Sequence, residues 1–364
     1  MKKLIIGNKK VGRARLEVGE GLTTKVNLIV GANNKHSVDL EKKKIKAGAE
    51  LGVHTIIDLS IARINPPLWQ YGKENFPQIA FGKVVPILVA KEHQGDVVPA
   101  DLWAEIEWSV KAGVDYMTLN LIPEKLSDFD FAHSRSFSTT SRQGGILLNY
   151  MIKNKVDNPY YPILDDILAL FKEYNVTMHI GSTFRPAGIT EAYDQVHLWE
   201  LQKQMEMFKR VNEAGVQAIV EPMSHQPLCD IGPGILSLRK KFGEYVPFQM
   251  LGPITTEVNF NSDQYASAPG AAEAARYNVG KITTIPPHEH VGFPSLQDTI
   301  EGIKAALTGI HAGDLCRLPK LKEIDRKILD QRGKALSCNP NSATPGCNKC
   351  LEFCPLLLGN QTKK

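Results

Sequence analysis

The chain has 364 residues, with 43% hydrophobic residues, 23% charged residues and a formal net charge of +4. This composition is typical of a globular protein, and the small net charge gives no sign of a nucleic-acid partner or an anionic membrane. The N-terminal apolar stretch LIIG is too short for a signal peptide, and no apolar run approaches the length of a membrane span. We therefore expect a cytoplasmic protein of one large domain or two smaller ones, with neither a nucleic-acid nor a membrane partner.

Short apolar runs rich in β-branched residues predict eight β-strands. In chain order they are KVNLIVG (25–31), HTIIDLS (54–60), VVPILVA (84–90), DYMTLNL (115–121), VTMHIG (176–181), VQAIVEP (216–222), PFQMLG (247–252) and KITTIP (281–286). Helix-compatible segments lie between most of them, at 40–52, 100–113, 163–174, 191–215 and 296–313. Apolar strands that alternate with helices indicate a parallel sheet, so we predict an α/β fold, a (β/α)8 barrel of the TIM type. A doubly wound open sheet is the alternative, but no G-x-G-x-x-G follows the first strand.

The end of the chain has a different composition from the predicted barrel. A basic segment with helical character covers 318–336, and CNPNSATPG after it is typical of a loop. Three cysteines then follow in a C-x2-C-x3-C pattern at 347, 350 and 354. We predict an N-terminal segment (1–22), a catalytic barrel domain (23–315) and a C-terminal helix with a flexible cysteine-bearing arm (316–364).

Cys347, Cys350 and Cys354 indicate a metal centre. In a reducing compartment, clustered thiols are more often metal ligands or catalysts than disulfides. Ligation by cysteine alone suits an iron–sulfur cluster or zinc. Either Cys338 fills a fourth position and closes the site, or that position stays open for a substrate or cofactor. A small zinc site that only holds the tail together is the structural alternative.

Polar residues stand at the C-terminal ends of most predicted strands, where barrel enzymes carry their chemistry. They are Asn27, Asn33, Asn34, Asp58, Ser60, Asn120, Ser182, Arg185, Glu221, His225, His288, Glu289 and His290. The stretch SRQGG (141–145) precedes a helix-compatible segment and is suited to a phosphate, with Arg142 or Arg185 adding charge. An ordinary glycine-containing helix start explains the same pattern.

His225 and His290 follow the sixth and eighth predicted strands. Two imidazoles from such loops, with Glu221 nearby, suit zinc or another divalent metal. Hydrogen bonding of both histidines to loop backbone is the alternative, and His288 offers a competing third imidazole.

The order of these segments resembles the phosphomethylpyrimidine synthase (ThiC) family of radical S-adenosylmethionine enzymes. The matching segments are VGEGLTTKVNLIVGANN, GVHTIIDLS, SRQGGILLNYMI, NPYYPILDDILALFKEYNVT, FRPAGI, AGVQAIVEPMSHQPL, MLGPITTEV and PHEHVGFP. They cover roughly residues 17 to 315, and so many matches in one order are far more specific than any one of them.

The resemblance implies a barrel with a C-terminal arm whose Cys347, Cys350 and Cys354 hold a [4Fe–4S] cluster. The open iron of that cluster binds S-adenosylmethionine, and reduction by a donor such as flavodoxin or ferredoxin yields a 5′-deoxyadenosyl radical. The usual substrate is 5-aminoimidazole ribonucleotide, which is rearranged to the pyrimidine of thiamine. A related branch makes 5-hydroxybenzimidazole from the same substrate. The resemblance also implies a homodimer in which one subunit's arm closes over its partner's barrel.

The resemblance further implies which residues form the site. His225 and His290 would bind a second metal, zinc or iron, and Glu221 would be catalytic. The implied substrate-binding residues are Asn27, Ile57, Tyr116, Asn120, Ser141, Arg142, Ser182, Arg185 and Glu221.

Several positions depart from the family pattern. The second gap of the cysteine motif is one residue shorter, and Pro-Met-Ser replaces a glycine-rich stretch before His225. Asn120 stands in place of a histidine, Ser182 in place of an aspartate and Ser262 in place of a tyrosine. Because such changes remove charge and proton-transfer groups, we hypothesise a divergent paralogue with a changed substrate or product.

Two functions of other classes stay open from the residues alone. One is a non-radical iron–sulfur protein with a closed four-cysteine cluster, in which Cys338→Ala would destroy the cluster. The other is metal-dependent hydrolysis at His225 and His290, which predicts activity in air without S-adenosylmethionine.

Overall fold

The computed structural model describes residues 3–11, 15–128, 135–242, 245–258 and 261–360. Parts of the predicted N-terminal segment (1–2 and 12–14) and of the predicted arm (361–364) lie outside the described residues. The chain divides into two compact units, Met1–Gly313 and Asp314–Lys364. Among the helices of the described ranges, none has the length and apolar character needed to cross a membrane.

The strands of the first unit form a hairpin and a barrel. The hairpin pairs β1 (Lys3–Ile6) with β2 (Leu16–Gly19) in antiparallel fashion. The barrel strands in the described ranges are β3 (Lys25–Val30), β4 (Thr55–Asp58), β5 (Ala80–Lys83), β6 (Tyr116–Leu119), β7 (Thr177–Ile180), β8 (Ala218–Val220), β9 (Gln249–Leu251) and β10 (Lys281–Thr283). Their order is β8-β7-β6-β5-β4-β3-β10-β9, and all neighbours are parallel. A parallel bridge between Val220 and Phe248 joins the two end strands, which confirms the predicted TIM-type barrel.

Helices surround the barrel and bury the outer faces of its strands. They are α1 (Val38–Leu51), α2 (Leu68–Asn75), α3 (Pro86–Glu92), α4 (Pro99–Lys111), α5 (Arg142–Asn154), α6 (Leu164–Tyr174), α7 (Gln195–Glu213), α8 (Leu228–Phe242), α9 (Asp263–Arg276) and α10 (Leu296–Leu315). Outward-facing strand residues such as Leu28, Ile56 and Phe81 belong to one large apolar core with residues of these helices. Because strand side chains alternate, the next residues along each strand face the barrel interior.

The predicted third strand was wrong. Residues 86–90 of the predicted segment belong to helix α3, and the strand is the preceding AFGK, Ala80–Lys83. Pro86 lies in the first turn of α3, where its missing N–H costs nothing, whereas it would break a sheet ladder. Residues 86–90 are all buried, so the sequence of this short helix is an unbroken apolar run. Such a run cannot be told from that of a buried strand by its periodicity. The other seven predicted segments each contain an observed strand.

The N-terminal hairpin covers the N-terminal end of the barrel. The backbone N–H of Ile5 donates to Gln217 Oε1 at 2.6 Å, and that of Asn8 donates to Asp115 Oδ1 at 3.0 Å. Asp115 and Gln217 precede β6 and β8, and Leu4 shares an apolar cluster with interior residues of the barrel. The hairpin therefore leaves the C-terminal ends of the strands as the open end of the barrel.

The second unit contains helix α11 (Lys322–Ala335), helix α12 (Pro355–Asn360) and the loop that carries the cysteines. Helix α11 has no buried residue. It ends at Leu336, whose left-handed backbone has a φ of 46°. The N–H of Gly346 donates to Leu336 O at 2.8 Å and the Ser337 hydroxyl donates to Gly346 O at 3.1 Å, which closes the loop between helix and cysteines.

Candidate active site

A cavity of about 750 Å³ opens at the C-terminal ends of the barrel strands. Its walls include these predicted site residues: Asn27, Ile57, Asn120, Ser141, Arg142, Ser182, Arg185, Glu221, His225 and His290. They are contributed by β3, by β4 and by the segments that follow β6, β7, β8 and β10. Residues from Asn27 to His290 thus meet in one space because the strands are parallel and closed into a barrel.

Asn27 is fully buried in the cavity floor and is held on several sides. Its Oδ1 accepts hydrogen bonds from Thr55 Oγ1 at 2.7 Å and from the Tyr116 hydroxyl at 2.8 Å. Its Nδ2 donates to Thr283 Oγ1 at 3.1 Å. Four strands therefore fix the amide before any ligand binds. Tyr116 itself lies beneath this floor and is not part of the cavity wall, and burial raises its pKa well above the ordinary value.

Glu221, at the end of β8, is the buried carboxylate of the cavity. Its Oε1 accepts hydrogen bonds from Thr118 Oγ1 and from Gln249 Nε2, each at 2.9 Å, and lies 3.3 Å from His179 Nδ1. Burial alone would raise the pKa of Glu221, but the hydrogen bonds with His179 and Thr118 hold it below its usual value. Glu221 is therefore ionised at neutral pH and is fixed in position.

The wall after β6 and β7 is suited to an anion. Ser141 is the N-cap of α5, and its Oγ accepts from the Gly144 N–H at 3.1 Å and from Asn120 Nδ2 at 3.2 Å. Arg142 opens the same helix, and Arg185 donates to Thr140 O at 3.0 Å. Burial lowers the pKa of Arg185, although nearby Glu221 opposes the shift. A helix N-terminus with two guanidinium groups beside it favours a phosphate or carboxylate.

A buried carboxylate that sequence reasoning missed stands behind Ser182. The Ser182 hydroxyl donates to Glu200 of α7, and the N–H groups of Thr183 and Phe184 donate to Glu200 Oε1 at 2.5 and 2.9 Å. Burial raises the pKa of Glu200 to about 7. Glu200 therefore shapes the loop after β7 from outside the cavity.

The two predicted metal-binding histidines face each other. The ring centroids of His225 and His290 are 5.7 Å apart. His225 Nδ1 lies 3.3 Å from Pro186 O, and His290 Nδ1 lies 2.7 Å from Asp263 Oδ2. An imidazole that donates through Nδ1 offers its Nε2 lone pair to a metal. Burial lowers the pKa of His225 to about 4, so this ring is neutral at pH 7.

In the described parts of the chain, the His225–His290 pair is not joined by a third His, Cys, Asp or Glu in metal-binding geometry. Within the part of the chain that the structure describes, no group of three or more His, Cys, Asp or Glu is arranged to hold a metal. His288 is half-exposed, is not in the cavity wall and pairs with Asp298 at 3.5 Å. The chemistry and separation of the two imidazoles fit a divalent metal that takes its other ligands from outside this pair.

Lys44 of α1 is another buried cavity residue that the sequence did not reveal. Its Nζ lies 2.7 Å from Glu41 Oε1 and 4.3 Å from the centre of the Phe293 ring. Glu41 Oε2 in turn accepts from the Gly31 N–H at 2.8 Å. In the sequence Lys44 ends the run EKKK, which resembles a solvated helix face, so no local pattern separates it from its neighbours.

The cysteines of the second unit lie in a curled segment and differ in exposure. Cys347 is exposed, Cys350 is half-buried and Cys354 is buried. The N–H of Leu351 donates to Cys347 O at 3.2 Å, and the N–H of Cys354 donates to Leu351 O at 3.2 Å. Hydrogen bonds from the backbone N–H groups of Lys349 and Cys350 lower the pKa of Cys347. Among the described residues these three thiols are not gathered into a ligand group. Their fit to an iron–sulfur cluster therefore rests on their C-x2-C-x3-C spacing and on the backbone N–H groups that favour a thiolate.

The fold and the cavity define a TIM-type barrel of the kind that carries an active site at the C-terminal ends of its strands. The sequence model of the radical SAM ThiC family matches residues 2–340, and the chain belongs to that family. Membership implies, in general terms, an iron–sulfur cluster, S-adenosylmethionine and a small-molecule substrate. The match ends before Cys347. Only the spacing and surroundings of the three cysteines therefore indicate their role.

Curated relatives extend the similarity over almost the whole chain. The phosphomethylpyrimidine synthase of Desulfotalea psychrophila is 31% identical over 96% of this chain and 86% of its own length. Phosphomethylpyrimidine synthase 2 of Methanosphaera stadtmanae is 30% identical over 94% of this chain and 85% of its own length. Among solved structures, Xanthomonas albilineans dihydropteroate synthase with 4-aminobenzoic acid covers 82% of this chain and 96% of its own, at 12% identity and a TM-score of 0.46. That score is too low to support any inference.

Proposed function

We propose that this protein is a radical S-adenosylmethionine enzyme that rearranges 5-aminoimidazole ribonucleotide into the phosphorylated pyrimidine of thiamine. The observation that carries the proposal is the cavity, whose wall contains the buried carboxylate of Glu221, the amide of Asn27 and the cationic side chains of Arg142 and Arg185. The relatives named phosphomethylpyrimidine synthase support the same reaction, at 30–31% identity over nearly the full chain.

The cavity has a suitable group for each part of such a nucleotide. The N-terminus of α5, with Ser141 and Arg142, is suited to the phosphate, and Arg185 adds a second positive charge. Glu221 is suited to accept from the amino group of the ring and to take a proton during the rearrangement. Asn27 is suited to orient the ring because its own hydrogen bonds hold it still.

Cys347, Cys350 and Cys354 would hold the [4Fe–4S] cluster, which, with S-adenosylmethionine bound, supplies a 5′-deoxyadenosyl radical. In this proposal Cys338 is not a ligand. His225 and His290 would hold a divalent metal, zinc or iron, at the cavity rim. Flavodoxin or ferredoxin as the reductant and a homodimer as the assembly belong to the same proposal.

Family membership favours this reaction over the two functions of other classes. A closed electron-transfer cluster would leave the polar cavity without a purpose, and a metal-dependent hydrolase would leave the three cysteines without one. The barrel cavity therefore supports the substrate class, and the cysteines and the family support the radical chemistry.

A second candidate is a changed product, such as 5-hydroxybenzimidazole, from the same nucleotide. It is favoured by Asn120 and Ser182, which stand where the family has ionisable residues. Asn120 Nδ2 donates to Ser141 Oγ and to Thr183 Oγ1, and Ser182 donates to Glu200. Both side chains are therefore engaged with the protein and bring no charge to the cavity.

The test uses anaerobically reconstituted protein with S-adenosylmethionine and a reductant, with and without 5-aminoimidazole ribonucleotide. We expect 5′-deoxyadenosine to form, and the nucleotide to increase its formation strongly. Slow formation that ignores the nucleotide would reject this substrate, and no formation by protein with an intact cluster would reject the radical mechanism. Cys338→Ala is the matched control: it keeps activity in this proposal and loses the cluster if the site is a closed electron-transfer centre.

A further inference from the structure

We propose that Asp263 is a positioning residue that sets the affinity of the His225–His290 pair for its metal. This inference rests on the metal site of the proposed function. Asp263 is the first residue of α9, is 8% exposed and contributes to the cavity wall. Its Oδ2 lies 2.7 Å from His290 Nδ1, a normal distance for a charge-assisted hydrogen bond.

The contact fixes which nitrogen of His290 is free. A carboxylate only accepts, so Nδ1 must carry the proton and Nε2 keeps the lone pair that a metal needs. The same contact fixes the rotation of the ring and makes the imidazole a better donor. Asp263 thus fixes the tautomer and orientation of His290 for metal binding and is not itself a ligand.

The two histidines depend on such a contact to different degrees. His225 is partly buried, and its Nδ1 faces both Pro186 O and the Ser224 hydroxyl. The His290 side chain is 50% exposed and lies in the loop between β10 and α10. Because packing restrains the His290 ring less than the His225 ring, we expect the contact with Asp263 to provide most of what fixes the orientation of His290.

A second role for Asp263 must be separated from this one. A carboxylate in the first turn of a helix also stabilises that helix through its dipole. Asp263→Ser and Asp263→Asn both remove the carboxylate, so each variant loses the contact with His290 together with the interaction with the helix dipole. Asp298→Asn is the matched control, since Asp298 lies in the first turn of α10 and pairs with His288, outside the cavity wall.

The experiment measures Zn²⁺ affinity by chelator competition in full-length, cluster-loaded protein, whose Cys347, Cys350 and Cys354 are already occupied. We expect Asp263→Asn and Asp263→Ser to weaken binding about 10- to 100-fold. Asp298→Asn should leave it unchanged, and His290→Ala should abolish it.

The outcomes separate failure of this inference from failure of the metal site. If wild-type protein does not bind Zn²⁺, or His290→Ala binds as well as wild type, the proposed metal site itself is wrong. If His290→Ala loses binding while both Asp263 variants keep wild-type affinity, only the role of Asp263 is overturned.

A metal-free readout completes the test and does not depend on activity. In long-range proton–nitrogen NMR spectra of metal-free protein, His290 should be the Nδ1–H tautomer in wild type and a mixture in Asp263→Ser. An unchanged tautomer in a folded Asp263→Ser variant would contradict the inference.

Discussion

Asn27 and Glu221 in the barrel unit are buried and are held by side chains from several strands, whereas Cys347 in the C-terminal unit is exposed and Cys350 is only half-buried. The barrel strands bury an extensive apolar core, while helix α11 buries no residue at all. Folding of the barrel is therefore sufficient to order its polar groups. If the cysteines hold the proposed cluster, they need the free energy of cluster binding for their final arrangement, as metal sites in small units commonly do.

We therefore infer that the two units have separable tasks. The barrel is prepared for its substrate before any cofactor arrives, because hydrogen bonds among its own residues fix the key groups. The C-terminal unit would supply the proposed cluster ligands, and its helix α11 buries no residue. Variants in one unit should therefore leave the property of the other unit intact, and the following predictions test this separation.

The largest effect is expected for Cys350→Ala, which removes one of the three proposed cluster ligands. Iron content and the visible absorption of the cluster should fall to background, while the thermal unfolding of the barrel unit stays within about 0.5 kcal/mol of wild type. Cys229→Ala, an exposed cysteine of the barrel unit, is the control. Retention of a full cluster in Cys350→Ala would contradict the assignment of cluster binding to the cysteines of the C-terminal unit.

Glu221→Gln should give the next largest effect, in the opposite unit. It keeps the size of the side chain but removes the negative charge that His179 and Thr118 stabilise. We expect product formation to fall about 100-fold or more while iron content is unchanged. Loss of the cluster in this variant would show that the tasks are not separate.

Asn27→Ala should destabilise the barrel by about 2–4 kcal/mol, because the Thr55 and Tyr116 hydroxyls lose their buried acceptor. Urea unfolding of cluster-free protein measures this free energy. Asn33→Ala is the matched control, since Asn33 is exposed and should change the free energy of unfolding by less than about 0.5 kcal/mol. Equal changes in the free energy of unfolding for the two variants would mean that these hydrogen bonds do not hold Asn27 in place before a ligand binds.

The smallest effect concerns the pH dependence of stability at Glu200. Its pKa is about 7 in the folded protein and near 4.5 when unfolded, so the unfolded chain releases this proton first as pH rises. The stabilisation that protonated Glu200 contributes is therefore fully present below pH 4.5 and is lost as the pH rises through 7. Between pH 5 and pH 8 the Tm of wild type should fall relative to that of Glu200→Gln by roughly 2–4 °C. Parallel curves for the two proteins would contradict the raised pKa.

The barrel could be predicted from sequence because its strands are short, unbroken apolar runs between helical segments. The third strand could not, because AFGK is brief and contains glycine while the more apolar run after it is a buried helix beginning at Pro86. Positions in the cavity wall could be predicted because they follow the strands directly. Tyr116 was placed with them by resemblance, but it lies one layer deeper on β6, below Thr118 and Asn120.

Glu200, Lys44 and Asp263 could not be predicted from the sequence. Each is a charged residue of a helix, and in the sequence such residues resemble the solvated face that most surface helices have. Only the packing of α7, α1 and α9 against the barrel brings them to Ser182, the cavity and His290. Contacts of this kind depend on tertiary structure and leave no periodic signal.

The most direct test of the account is to identify the product by mass spectrometry. Cluster-loaded protein is incubated anaerobically with S-adenosylmethionine, a reductant and 5-aminoimidazole ribonucleotide. The account predicts that the nucleotide is consumed, with formation of 5′-deoxyadenosine and a phosphorylated hydroxymethylpyrimidine. Unchanged nucleotide in a sample that still cleaves S-adenosylmethionine would contradict it, because the barrel would then have been prepared for a different substrate.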